Sequence, residues 1–74
     1  MSRMETGRIE AMDVVPVEVL ERVAEELRRH GVRARVRPDY RGIPDIYILE
    51  DDAELLDRLC DEGRLSREAR ELLC

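Results

Sequence analysis

The sequence predicts a small two-layer α+β fold in which a three-stranded mixed sheet packs on helices, in the order β-α-β-β-α-α. Three stretches support this class. Residues 16–31 have the 3.6-residue periodicity of an amphipathic helix, residues 32–37 alternate with a period of two, and residues 45–49 are apolar on both faces. The chain of 74 residues has the size of one domain. We expect this domain over residues 8–74 and a disordered N-terminal segment over residues 1–7.

The first strand is predicted from Arg8 to about Val15. Ile9 and Ala11 alternate with charged neighbours, which is the pattern of a strand with one buried face. Val15 precedes Pro16, and a residue before proline is restricted to extended backbone. The junction between the strand and the next helix is therefore expected at this pair.

The segment from Pro16 to Gly31 is predicted to form the central helix. Its apolar residues recur at i, i+3, i+4 and i+7, and they are Val17, Leu20, Val23, Ala24 and Leu27. Pro16 suits the first helical position because its missing N–H would have no partner there. Gly31 can adopt the left-handed conformation that ends a helix. We expect the apolar stripe of this helix to form the centre of the core.

Two further strands are predicted after the helix. The first has two faces, one made by Val32, Ala34 and Val36 and the other by Arg33, Arg35 and Arg37. A loop rich in Pro, Asp and Gly is expected over residues 38–44. Residues 45–49 then form a strand that is apolar on both sides, so we expect it in the middle of the sheet.

Two short helices are predicted at the C-terminal end. Asp51 and Glu54 have the spacing of a helix capping box, in which each side chain bonds to the other residue's backbone. An apolar stripe over residues 55–60 follows, and Gly63 is expected to end this helix. Ser66 can cap the last helix, because its hydroxyl can accept a backbone N–H of the first turn.

This element order resembles the first five elements of a ferredoxin-like β-α-β-β-α-β unit, with a helix in place of the last strand. The resemblance implies that the first strand lies at an open edge, since the missing strand would have paired with it. Open edges are normally covered or paired with another chain. The preferred hypothesis is therefore a non-enzymatic interaction module that forms a homodimer or binds a protein partner. The candidate residues for self-association are Ile9, Ala11, Leu55, Leu59, Leu72 and Leu73.

A row of arginines supports an alternative hypothesis, which is binding of an anion or a nucleic acid. The row consists of Arg33, Arg35 and Arg37 on one strand face and Arg41 in the next loop. Alternate residues of a strand lie about 6.6 Å apart, a spacing suited to successive phosphates or carboxylates. The same arginines could instead pair with carboxylates on neighbouring strands. The net charge of −5 argues against a general affinity for nucleic acid, which is not the favoured partner.

No catalytic residue, metal ligand or cofactor is predicted. One His and two Cys are too few for a convergent catalytic set or a zinc site. Cys60 is expected to be a small buried hydrophobic residue. Cys74 could be reactive or form a bridge to another chain, and the sequence leaves both open. No apolar run approaches the about 20 residues of a membrane span. With so few cysteines, we expect a reduced, cytoplasmic protein.

The basic residues are all arginine, thirteen in number, and neither Asn nor Gln occurs. Genomic base composition explains this bias, and so does heat adaptation, in which thermolabile amides are avoided and charges form networks. The sequence leaves both explanations open.

Overall fold

The computed structural model describes residues 4–9 and 15–74. Its elements are β1 (Glu5–Gly7), α1 (Val17–Arg29), β2 (Ala34–Pro38), β3 (Pro44–Leu49), a 3-10 turn (Glu50–Asp52), α2 (Ala53–Asp61) and α3 (Arg67–Leu73). The small α+β class and the predicted order β-α-β-β-α-α are therefore confirmed.

The strands lie in the order β1-β3-β2, which puts β3 in the middle as expected. Thr6 of β1 lies opposite Ile48, and Val36 of β2 lies opposite Ile46. Both pairings are antiparallel, so β1 and β2 run in the same direction with β3 between them. The sheet is antiparallel rather than mixed, because the two parallel strands are not neighbours.

The first strand lies earlier in the chain than predicted. Glu5–Gly7 pair with β3, whereas the sequence placed the strand from Arg8 to Val15 and expected no order before it. Arg8, Ile9 and Val15 lie outside strands, and residues 10–14 are not among the described residues. The three residues of β1 include no large apolar side chain, so hydrophobic alternation could not reveal them.

The apolar stripe of α1 forms the centre of the core, as predicted. Its buried residues are Leu20, Val23, Ala24 and Leu27. They share one cluster with Val32 and Ala34 from the β2 side, Ile46 and Ile48 of β3, and Leu56, Leu59, Leu65 and Ala69 of the C-terminal half. Burial of a Leu or Ile side chain contributes about 1.5–3 kcal/mol, so this cluster supplies the main driving force for folding.

The start of α2 differs from the prediction. The helix begins at Ala53 after the 3-10 turn, and its N-cap residue is Asp52 rather than Asp51. Asp52 makes no side-chain capping bond. Its carboxylate instead accepts hydrogen bonds from Arg33. The predicted capping box of Asp51 and Glu54 is therefore wrong, because the helix begins one residue later than expected and the carboxylate at its N-cap is bound to Arg33.

α3 is anchored to α1 through its first turn. The Ser66 hydroxyl accepts a hydrogen bond from the Ala69 N–H at 3.2 Å, which confirms the predicted cap. The carboxylate of Glu26 accepts from both the N–H and the hydroxyl of Ser66, each at 2.6 Å. Arg22 donates to Glu68 at 3.0 and 3.3 Å. This hydrogen bonding lowers the pKa of Glu68 and raises the pKa of Arg22.

Cys60 and Cys74 form a disulfide within the chain, so the alternatives of a reactive or intermolecular Cys74 are wrong. Cys60 packs against the core as expected, but it is only partly buried and its sulfur is bonded to Cys74. The two Cα atoms lie 5.8 Å apart and are separated by 14 residues in sequence. The bond joins the end of α2 to the residue after α3. The last helix is therefore held at its start by Glu26 and at its end by the disulfide.

Candidate functional site

The sheet has one face packed on the helices and a second face that carries the arginine row. Ala34, Ile46 and Ile48 are buried on the helix side. Because side chains alternate along a strand, the residues between them point the other way, and we call this side the arginine face. Its members are Glu5 and Gly7 of β1, Asp45, Tyr47 and Leu49 of β3, and Arg33, Arg35 and Arg37 of the β2 segment.

Two of the four candidate arginines make close ion pairs within the chain. Arg33 donates from Nε and Nη2 to Asp52, both at 2.9 Å. Arg41 lies in the loop between β2 and β3 and donates to Asp39 at 2.9 and 3.2 Å. These hydrogen bonds raise the pKa of both guanidinium groups. Both arginines are therefore committed to carboxylates of their own chain.

The other two candidates, Arg35 and Arg37, share a single carboxylate. Glu5 approaches each of them at 3.6 Å, with its side chain 21% exposed and theirs 66% and 45% exposed. The guanidinium carbon of Arg37 also lies 4.0 Å from the centre of the Tyr47 ring, a cation–π contact. The structure thus brings two exposed guanidinium groups together around one acidic residue.

The outer edge of β2 is restricted at its two ends by Arg28 and Pro38. The Leu49 N–H donates to the Arg33 carbonyl at 3.3 Å, so the odd-numbered residues of this segment bond to β3 and the even-numbered residues face outward. The outward carbonyl of Ala34 accepts from Arg28 Nη1 at 2.9 Å. At the other end, Pro38 has no N–H to offer. An incoming strand therefore meets an obstruction at each end of this edge, and between them Val36 directs its N–H and C=O outward.

The outer edge of β1 differs from that of β2 in which main-chain groups it leaves facing outward. The Arg8 N–H donates to the Ile46 carbonyl at 3.0 Å, and the Glu50 N–H donates to the Met4 carbonyl at 2.9 Å. These bonds turn the even-numbered residues of β1 toward β3, so Glu5 and Gly7 direct their N–H and C=O groups outward. Within the described residues, no group bonds to these four backbone atoms.

The absence of a side chain at Gly7 lets β1 pack closely against Asp45 and Tyr47 on the arginine face. A Cβ atom at this position would lie 2.7 Å from Asp45 Oδ2 and 3.4 Å from Tyr47 Cε2. Asp45 is 7% exposed, and its Oδ1 accepts the Ile9 N–H at 3.0 Å. Any larger residue at position 7 would therefore displace this buried carboxylate. The sequence shows only a glycine after Thr6, so the close approach of Gly7 to Asp45 could not be predicted from it.

The apolar candidates for self-association are less available than the sequence implied. Leu59 belongs to the core and is 3% exposed. The partly buried side chains packed against the core include Ile9, Leu55, Leu72 and Leu73. Ala11 lies outside the described residues. Large apolar side chains that are exposed in the described structure are Met4, Val17 and Tyr40. None of these three was a candidate.

A cleft of about 540 Å³ lies beside the β2 edge. Its lining includes Glu5, Arg28, Arg33 and Arg35. All four already take part in contacts within the chain, since Arg28 bonds to Ala34, Arg33 bonds to Asp52 and Arg35 approaches Glu5. In the described part of the chain, no group of three or more His, Cys, Asp or Glu is placed to hold a metal ion.

None of the described helices has the length and apolar content that crossing a membrane requires. No protein family, curated protein or solved structure matches this chain. The ferredoxin-like arrangement therefore stays a prediction, and the function has to be inferred from the β1 edge and the arginine face.

Proposed function

We propose that this chain is a small non-enzymatic interaction module that pairs with another polypeptide strand along the outer edge of β1. The observation that carries the proposal is the contrast between the two edges of the sheet. Arg28 and Pro38 restrict the two ends of the β2 edge and leave only Val36 with both its N–H and C=O facing outward between them, whereas within the described residues both Glu5 and Gly7 offer their N–H and C=O groups at the edge of β1. Proteins rarely leave such groups unprotected unless another strand uses them.

Strand addition suits a chain of this size. A domain of about this length buries only about 60% of its unfolded surface, and its stability is marginal as a result. A strand added at β1 extends a sheet of three strands and satisfies main-chain groups without requiring a deep pocket. Both partners named by the sequence hypothesis, a second copy or another protein, would bind in this way.

A cytoplasmic location belongs to the same proposal. Disulfides normally persist in oxidising compartments, but intracellular proteins of hyperthermophiles are an exception. The Cys60–Cys74 bond fits a cytoplasmic protein under that condition, which agrees with the heat-adaptation explanation of the all-arginine composition. The growth temperature of the source organism would distinguish a cytoplasmic protein of a hyperthermophile from a protein of an oxidising compartment.

The test compares two variants that both lose the Glu5 carboxylate, of which only one also loses the outward N–H. Glu5→Pro deletes the outward N–H, and Glu5→Ala is the matched control that keeps it while also losing the carboxylate. Each is titrated with a six-residue peptide of alternating Thr and Val and followed by amide NMR. We expect the Gly7 amide to shift and gain exchange protection in Glu5→Ala and to stay unchanged in Glu5→Pro. Equal binding by both variants would reject the β1 edge.

The arginine face supports a second candidate function, the binding of an anion or nucleic acid. Arg35 and Arg37 approach Glu5 only to 3.6 Å, which is longer than a hydrogen bond. A phosphate can compete with a carboxylate held this loosely. The Arg35→Ala/Arg37→Ala variant should lose affinity for single-stranded oligonucleotide, with the salt slope falling by about one unit per phosphate contact. Arg64→Ala, exposed before α3, is the control. Equal affinity in both variants would exclude this face.

A further inference from the structure

We infer that the strand that pairs with β1 is β1 of a second copy, in the register that sets Thr6 opposite Thr6. This inference rests on the proposed edge function and goes further by naming the partner. A pair of identical chains with two-fold symmetry uses the same patch on both copies. Two copies that pair through the same strand edge therefore run antiparallel.

The ladder between β1 and β3 restricts the registers. Glu5 and Gly7 face outward, so they occupy the hydrogen-bonded positions of any new antiparallel ladder. With Thr6 on the two-fold axis, each Glu5 lies opposite Gly7 of the second copy. Each of these two pairs exchanges N–H and C=O groups, so all the outward groups of β1 are used in four hydrogen bonds.

Repulsion between carboxylates in an alternative register favours the same Thr6-centred pairing. Sliding the strands so that Glu5 faces its own copy would place two carboxylates directly opposite each other, which is destabilising. Sliding the other way would place Gly7 against Gly7 and leave Glu5 beyond the paired segment. With Thr6 at the centre, Glu5 faces a glycine, and Thr–Thr pairs are favourable cross-strand neighbours. Met4 then faces Arg8, so no like charges oppose each other between residues 4 and 8.

The side chains at the axis permit this approach. Thr6 is exposed in the single chain, and Gly7 has no side chain to obstruct the partner. At a pair that is not hydrogen-bonded, the two Cα atoms lie about 4.5 Å apart. The two threonines therefore touch directly, and no other residue of β1 meets its own copy. This contact gives the register a signature that an experiment can read.

A charge-swap experiment tests the contact. Thr6→Lys and Thr6→Glu each place like charges at the axis, and Thr6→Val keeps a neutral β-branched side chain. By sedimentation velocity over a series of increasing protein concentrations, we expect the wild type and Thr6→Val to dimerise and each charged variant to be monomeric. An equimolar mixture of Thr6→Lys and Thr6→Glu should dimerise again. Circular dichroism of each variant confirms that it is folded. A mixture that stays monomeric would overturn the register.

Cysteine crosslinking provides a second readout. Thr6→Cys should form a disulfide-linked dimer on mild oxidation, since the Cα separation lies within the range for a disulfide. Met4→Cys is the matched control, because residues 4 of the two copies would be about 13 Å apart in this register. Equal crosslinking of both variants, or none at Thr6→Cys, would overturn the inference.

The outcomes separate this inference from the proposed function. A wild type that is monomeric at every concentration, but whose Glu5→Ala variant binds the Thr-Val peptide while Glu5→Pro does not, would reject the second copy and leave the edge function standing. A dimer that survives Glu5→Pro unchanged would reject both.

Discussion

The carboxylate of Asp52 accepts three hydrogen bonds from Arg33, two from the guanidinium group and one from the backbone N–H, each at 2.9 Å. The pair joins the residue before β2 to the residue before α2, which are 19 positions apart in the chain. Asp52 is 8% exposed, so this charge is largely removed from water. The junction between the sheet and the second helix depends on it.

Replacing Asp52 by Ala should therefore destabilise the protein more than replacing Asp51. The Asp52→Ala variant leaves the Arg33 N–H without its acceptor, and an unsatisfied donor of this kind costs free energy. Asp51 is exposed and acts on Arg33 only through its charge, so Asp51→Ala should cost less. Thermal unfolding followed by circular dichroism compares the two. An equal or larger loss for Asp51→Ala would support the capping box that the sequence predicted.

The core should be sensitive to truncation at Leu27. This residue is 0% exposed, and truncating a buried Leu to Ala typically costs about 2–5 kcal/mol of unfolding free energy. Val17, at the start of the same helix, is 44% exposed, and Val17→Ala should cost about 0.5 kcal/mol or less. Urea unfolding measures both values. Comparable losses at the two positions would contradict the orientation of α1.

The disulfide should contribute measurably to stability. Chain-entropy estimates give about 3 kcal/mol for a closed loop of about 15 residues, close to the 14-residue separation of Cys60 and Cys74. The double variant Cys60→Ala/Cys74→Ser should lose about this amount in urea unfolding. The native protein should show no reactive thiol until it is reduced. Thiols that titrate in the untreated protein would contradict the bond.

The loop between β2 and β3 should lose stability in acid. Burial acts to raise the pKa of Asp39, but hydrogen bonds from the Ile43 N–H and from the side chain and N–H of Arg41 outweigh it and hold the pKa below 3.8. A carboxylate with a lowered folded pKa stabilises the fold above its unfolded pKa, and the stabilisation is lost as pH falls through the folded pKa. The change is therefore expected below about pH 4.

The variant Asp39→Asn isolates this effect. It should be less stable than the wild type at pH 7, and the difference should shrink on acidification because only the wild type loses a charge. Asp57→Asn, at an exposed position of α2, is the control. Urea unfolding between pH 7 and pH 2 measures the differences. A gap for Asp39→Asn that stays constant with pH would contradict the lowered pKa.

The sequence pattern predicted those elements that depend on contacts between residues close together in the chain. The 3.6-residue stripe of α1 and the cap at Ser66 depend on residues within a few positions, and both are confirmed. The strand at Glu5–Gly7 was missed because its evidence lies in pairing with β3, more than 35 positions away. In the same way, the arginine row was visible from alternation, but its partners Glu5 and Asp52 were not.

The restricted edge of β2 bears on how far copies of this chain could assemble. In the proposed dimer, pairing at β1 would use the outward groups of Glu5 and Gly7 on both molecules, and the opposite margin carries Arg28 at one end and Pro38 at the other. A third molecule would then find only Val36 with both main-chain groups outward between these two obstructions, so growth should stop at two. Removing both the Arg28 guanidinium and the Pro38 ring would favour further strand addition and fibril growth.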